Sequence, residues 1–69
     1  MTRTKELIIN GQVFDLTIGL DKEVLLFPVP NPQEIGYAIP FDESQEHYYN
    51  YNVYDYAHDN FDRAIKFEA

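Results

Sequence analysis

The residues with chemical potential gather in the last third of the chain. Tyr48, Tyr51, Asp55, Asp59 and Asp62 supply phenols and carboxylates, and His47 and His58 stand among them. Five of the six tyrosines fall between Tyr48 and Tyr56. Asp55 and Asp59 are one helical turn apart if the segment is a helix, on the order of 6 Å along the axis at ~1.5 Å per residue. Asp62 extends the row. The interval is broadly like that between successive phosphates on a nucleic-acid strand. Carboxylates at such intervals, with hydrogen-bonding phenols beside them, offer arginines and lysines what a phosphate backbone offers. The plainer reading is a solvated helix face, since charge on outer faces is ordinary. Like charges at i, i+4 repel by roughly 0.2–0.5 kcal/mol. The pairs Asp59–Arg63 and Asp62–Lys66, also at i, i+4, would relieve that repulsion.

Other chemistries find less support. His58 lies between Asp55, Asp59 and Asp62 in sequence, but on a helix its ring points to a different side from Asp55 and Asp62. Glu43 and His47 at i, i+4 permit an ion pair and little more. Nothing matches a nucleophile elbow, a phosphate-cradling glycine loop or a zinc-helix motif. An acid–base carboxylate pair needs a cleft and a raised pKa. A chain of 69 residues has little room for one. No catalytic residue, metal ligand or cofactor is expected. Exposed tyrosines are common interface anchors, being large, amphipathic and low in entropy cost. They could equally pack on this protein's own surface or against a second copy.

The net charge is −7, from twelve acids against five bases. That balance disfavours direct binding to nucleic acid or to an anionic membrane and favours basic surfaces. From Asp42 onward seven acids face only Arg63 and Lys66, so the excess is concentrated there. There is no cysteine, which excludes a disulfide framework and a thiolate zinc site and suits a reducing, cytoplasmic setting. The start, Met1-Thr2-Arg3-Thr4-Lys5, does not read as a signal peptide. No apolar run approaches the ~18 residues of a membrane span.

The elements that must position these residues are small. Glu6-Leu7-Ile8-Ile9 reads as a strand. Asn10-Gly11 is the residue pair a type I′ hairpin turn wants, because both central positions need positive φ. Gln12 to Ile18 alternates, with Phe14, Leu16 and Ile18 on one face. Glu23 to Val29 is a third strand that should end at Pro28 or lie at an edge. Pro30-Asn31-Pro32 is a rigid connection. In Glu34 to Phe41, the bulky Ile35, Tyr37, Ile39 and Phe41 share one face and the small Gly36, Ala38 and Pro40 the other. Leu7, Ile9, Phe14, Leu16, Ile18, Leu25, Phe27, Ile35, Tyr37, Ile39 and Phe41 are the expected core.

Asp42 or Ser44 can cap a following helix, with Gln45 three residues after Asp42. Val53, Tyr56, Ala57, Asn60, Phe61, Ala64 and Ile65 recur at i, i+3, i+4, i+7. The spacing predicts an amphipathic helix that begins at Gln45 or at Asn52 and runs to about Lys66. His47 to Tyr51 reads as its first turns or as a strand or extended lead-in, since tyrosine favours strands. The expected fold is α+β: one small domain over 1–69, with a four-stranded antiparallel meander in 1–41 and a helical portion in 42–69 packed on it.

In profile the chain resembles the small, acidic, cysteine-free inhibitors of nucleic-acid enzymes that viruses and mobile elements encode, the anti-CRISPR and anti-restriction proteins among them. No motif carries that resemblance. It implies a non-catalytic inhibitor that occupies the basic nucleic-acid-binding surface of a processing enzyme through Tyr48, Tyr51, Asp55, Asp59 and Asp62. The alternative is an assembly module that self-associates through its tyrosine face or a sheet edge.

Overall fold

A computed structural model of the chain describes residues 6–29 and 35–68. Five antiparallel strands form one sheet in the order β1-β2-β3-β4-β5. They are β1 (Glu6–Ile9), β2 (Gln12–Ile18), β3 (Val24–Pro28), β4 (Ile35–Ile39) and β5 (Ile65–Glu68). Between β4 and β5 the chain makes a 3₁₀ turn (Glu43–Gln45), α1 (Glu46–Tyr51), α2 (Val53–Asp59) and a second 3₁₀ turn (Phe61–Arg63). The class is α+β, a meander with helices on one face, as the periodicity predicts. The Pro30-Asn31-Pro32 connection lies outside the described residues.

The first hairpin follows from local chemistry. Asn10 and Gly11 take φ of 50° and 83°, and Ile9 pairs with Gln12. A two-residue turn of this hand matches the twist of the strands it joins. β3 ends at Pro28, which pairs with Phe14. A proline there forfeits no interior ladder bond, and Val29 still donates its N–H to Val13 at 3.0 Å.

One face of the sheet carries the core. Ile9, Phe14, Leu16, Val24, Leu26 and Ile39 meet Tyr56 and Ala57 of α2, and Val24, Leu26, Ile39, Tyr56 and Ala57 are wholly buried. The pattern corrects the expected phase of β3. Leu25 and Phe27 point to the opposite face, because Leu26 pairs with Leu16 on one side and Tyr37 on the other. Both phases of Val24-Leu25-Leu26-Phe27 are apolar, so alternation could not choose between them. Ile18, also expected in the core, lines an open cleft with Val53 and Tyr54 of α2 and is 44% exposed.

Two further differences concern the C-terminal third. The helical portion is broken at Asn52 and again at Asn60 rather than continuous. Ile65, read as part of a helical stripe, opens the fifth strand and pairs with Ala38. A four-residue strand carries too few positions for period 2 to declare itself against 3.6. What decides is the free edge of β4, which offers unpaired backbone groups that a returning strand satisfies.

Candidate functional site

The outer surface of the helical layer carries the residues singled out by type and spacing. Asn52 shapes it. Its extended backbone (φ −157°, ψ 95°) ends α1, where its N–H still donates to the Tyr48 carbonyl. Its side-chain oxygen then accepts from the N–H groups of Tyr54 at 3.0 Å and Asp55 at 3.2 Å, capping α2. Its amide donates to the Asp55 carboxylate at 3.1 Å. Asp55 is thus held in the first turn of α2, where a negative charge meets the positive end of the helix dipole. Asparagine competes with the helix for backbone hydrogen bonds, which explains why it ends one helix and starts the next.

Tyr48 and Asp59 are brought together. The Tyr48 hydroxyl donates to Asp59 Oδ2 at 2.5 Å, tying α1 to the end of α2. The Asp59 carboxylate retains the phenol proton and pushes the Tyr48 pKa up to about 12, helped by lost hydration of the ring and by the charges of Asp59 and Asp55. His58 Nδ1 stands 3.7 Å from Asp59 Oδ1. Tyr48 is half-buried, with its ring edge-on to Tyr56 at 6.3 Å. Tyr49 packs between Phe41 and Tyr56, and burial raises its pKa, with Tyr56 and Glu23 adding to the rise.

Tyr51 is 82% exposed. Asp55 and Asp62 are exposed as well. Asp62 sits on the second 3₁₀ turn, so the three aspartates do not form one straight helical row. The cause is Asn60, which is buried. Its amide donates to the Tyr56 carbonyl at 2.9 Å and exchanges two hydrogen bonds with the Gln45 amide, turning the chain out of helix.

The expected i, i+4 ion pairs do not form. Arg63 reaches across to Asp42 Oδ2 at 2.6 Å, and Lys66 lies in β5. Asp42 caps the first 3₁₀ turn. Hydrogen bonds from Ser44, Gln45 and Arg63 hold its carboxyl well below the ordinary carboxylate range. Glu46 is 3.8 Å from Lys22. Among the described residues Glu43, Asp55 and Asp62 have no cation within ion-pair distance. Spacing overlooked Glu43 and Glu46 as members of this surface. The signal for them was the concentration of acids after Asp42.

Two shallow clefts adjoin the layer. One of about 400 Å³ is lined by Leu16, Thr17, Ile18, Val53 and Tyr54. The other, about 450 Å³, is lined by Asp21, Glu23, Ala38, Pro40 and Phe41. Neither is lined by His47 or His58. Among the described residues no three acid or histidine side chains are grouped to hold a metal ion, and no helix is long and apolar enough to cross a membrane. No family model, curated protein or solved structure matches the chain.

Proposed function

We propose that the chain is a non-catalytic binding module whose acidic helical layer docks on a basic surface of a partner protein, the nucleic-acid-binding surface of a processing enzyme, and blocks it. The supporting observation is the partition of charge. From Asp42 to Arg63 the layer holds six acids (Asp42, Glu43, Glu46, Asp55, Asp59, Asp62) and one base, Arg63, which Asp42 already neutralises. Glu43, Asp55 and Asp62 are left to face outward. Such a surface attracts lysines and arginines over roughly a screening length, ~8 Å at physiological ionic strength. Tyr51 adds an exposed ring with a hydrogen-bonding tip. Tyr48 and Asp59 serve as a clasp that holds the two helices in register and leave Asp59 Oδ1 on the surface side.

The test compares wild type with a Glu43→Gln/Asp55→Asn/Asp62→Asn variant as bait in a cell extract, at low and high salt. The reading expects a basic nucleic-acid-binding protein that wild type retains, that the variant and high salt release, and that added duplex or single-stranded competitor displaces. Equal retention by bait and variant, or retention indifferent to salt, would count decisively against it.

A further inference from the structure

The side of the sheet away from the helices is apolar as well. Strand alternation places Ile8, Val13, Leu25, Phe27, Ile65 and Phe67 on it, spread over β1, β2, β3 and β5. Gly36 of β4 lies beneath two of them. A Cβ there would come within 2.5 Å of the Phe67 ring and 2.9 Å of Phe27. The two rings meet edge-to-face at 5.8 Å over that gap. Ile8 and Ile65, on the two edge strands, are 62% and 61% exposed. No described helix covers this side. Antiparallel sheets that face water normally alternate apolar and polar; β2 does so, with Asp15 and Thr17 on this side, whereas β3 is apolar in both phases.

We infer that this face is the contact between two copies of the chain, packed sheet to sheet with the helical layers outside. Charge selects a second copy. The protein carries −7, yet strand alternation puts only two of its acids on this face, Asp15 and, at the register position across from it in β1, Glu6. Two copies meeting through their helical layers would oppose their acids. Meeting through the open face puts those acids on opposite outer surfaces. Two sheets about 10 Å apart then stand between them, further than the ~8 Å over which charges act at physiological ionic strength. Shape agrees, because two sheets of the same twist stack with strands about 30° apart and side chains interdigitated.

The area sets the strength. Five strands at about 4.8 Å spacing and about five residues at ~3.3 Å each give roughly 400 Å² per copy. The total, about 800–1,000 Å², lies below the ~1,200 Å² where stable interfaces begin. The dimer is therefore of the weak, reversible class. It also differs in kind from docking of the acidic layer: salt weakens the latter and leaves an apolar contact unchanged or stronger.

Sedimentation equilibrium tests this, from about 1 µM to about 500 µM, which brackets association free energies of roughly −8 to −4.5 kcal/mol. Wild type should pass from the chain mass of 8.1 kDa toward twice that value, and no less so in high salt. Ile8→Glu/Ile65→Glu should stay monomeric throughout. Both side chains are already largely solvent-exposed, so the fold does not depend on them, and circular dichroism checks this. Leu20→Glu changes a fully exposed leucine on the β2–β3 turn, off the face, and should dimerise like wild type. A wild type that remains at the monomer mass at the highest concentration overturns the inference. So does a dimer that the double variant leaves intact, which would place the contact at the tyrosines or a strand edge.

Discussion

Tyr56 is where the helical layer is fastened to the sheet, and Tyr56→Phe isolates that fastening. The side chain is fully buried. Its hydroxyl accepts from the Asp42 N–H at 3.0 Å and donates to the Pro40 carbonyl at 3.2 Å, so one oxygen fixes the exit from β4. Its ring lies edge-on to Tyr49 at 5.2 Å. Phenylalanine keeps the ring and deletes only the oxygen. Each lost hydrogen bond is worth about 0.5–1.5 kcal/mol net, and more where the stranded partner is shut off from water. Both partners are only partly buried, so the sum is about 1–3 kcal/mol. A chain of this size has a total stability of about 3–10 kcal/mol. The variant should fold, with Tm lower by about 5–20 °C, since ~1 kcal/mol moves Tm by about 4–8 °C in a domain of this size. Thermal and urea melts followed by far-ultraviolet circular dichroism read the change, and the urea midpoint should fall with an unchanged slope. Tyr51→Phe is the comparison. Its ring is 82% exposed, and its stability should stay within about 0.5 kcal/mol of wild type. If Tyr56→Phe melts within about 2 °C of wild type, the hydroxyl is not the fastening and the rings alone hold the layer.

Three other outcomes are expected. Asn52→Ala removes the cap of α2, should cost about 1 kcal/mol, and should appear in the same melts as a Tm lowered by about 4–8 °C. Gly36→Ala forces the Phe27 and Phe67 rings aside and should destabilise by about 1–3 kcal/mol, with the change centred on β4 and β5 in amide exchange. The Asp42 carboxyl is held below its ordinary value of 3.8 in the folded protein. Its contribution to stability is therefore complete above that value and is lost as pH falls toward the folded pKa. Asp42→Asn, which keeps a capping side chain, should flatten the acid side of the Tm–pH curve relative to wild type.

What could be read directly from the chain is what short-range chemistry dictates. Asn10-Gly11 declared the first hairpin because only a few residue types accept positive φ at both turn positions. Pro28 marked the end of β3 because it lacks an N–H. The alternation from Gln12 to Ile18 placed Phe14 and Leu16 in the core, and the period of Val53, Tyr56 and Ala57 turned α2 toward it. The concentration of acids after Asp42 was legible from composition alone. The tertiary structure decided everything that rests on partners distant in sequence. Val24-Leu25-Leu26-Phe27 is apolar in both phases, and only pairing with β2 and β4 set which residues face α2. Asn60 and Gln45, fifteen residues apart, exchange the amide bonds that end α2 early. Arg63 takes Asp42 as partner over twenty-one residues instead of the nearer Asp59. Tyr48 and Asp59, chosen as two separate contact residues, bond to each other, leaving Tyr51, Asp55 and Asp62 to face solvent. Ile65 is a strand because β4 had a free edge for it. A local pattern states what a residue prefers, and the packed chain states which of those preferences can be met at once.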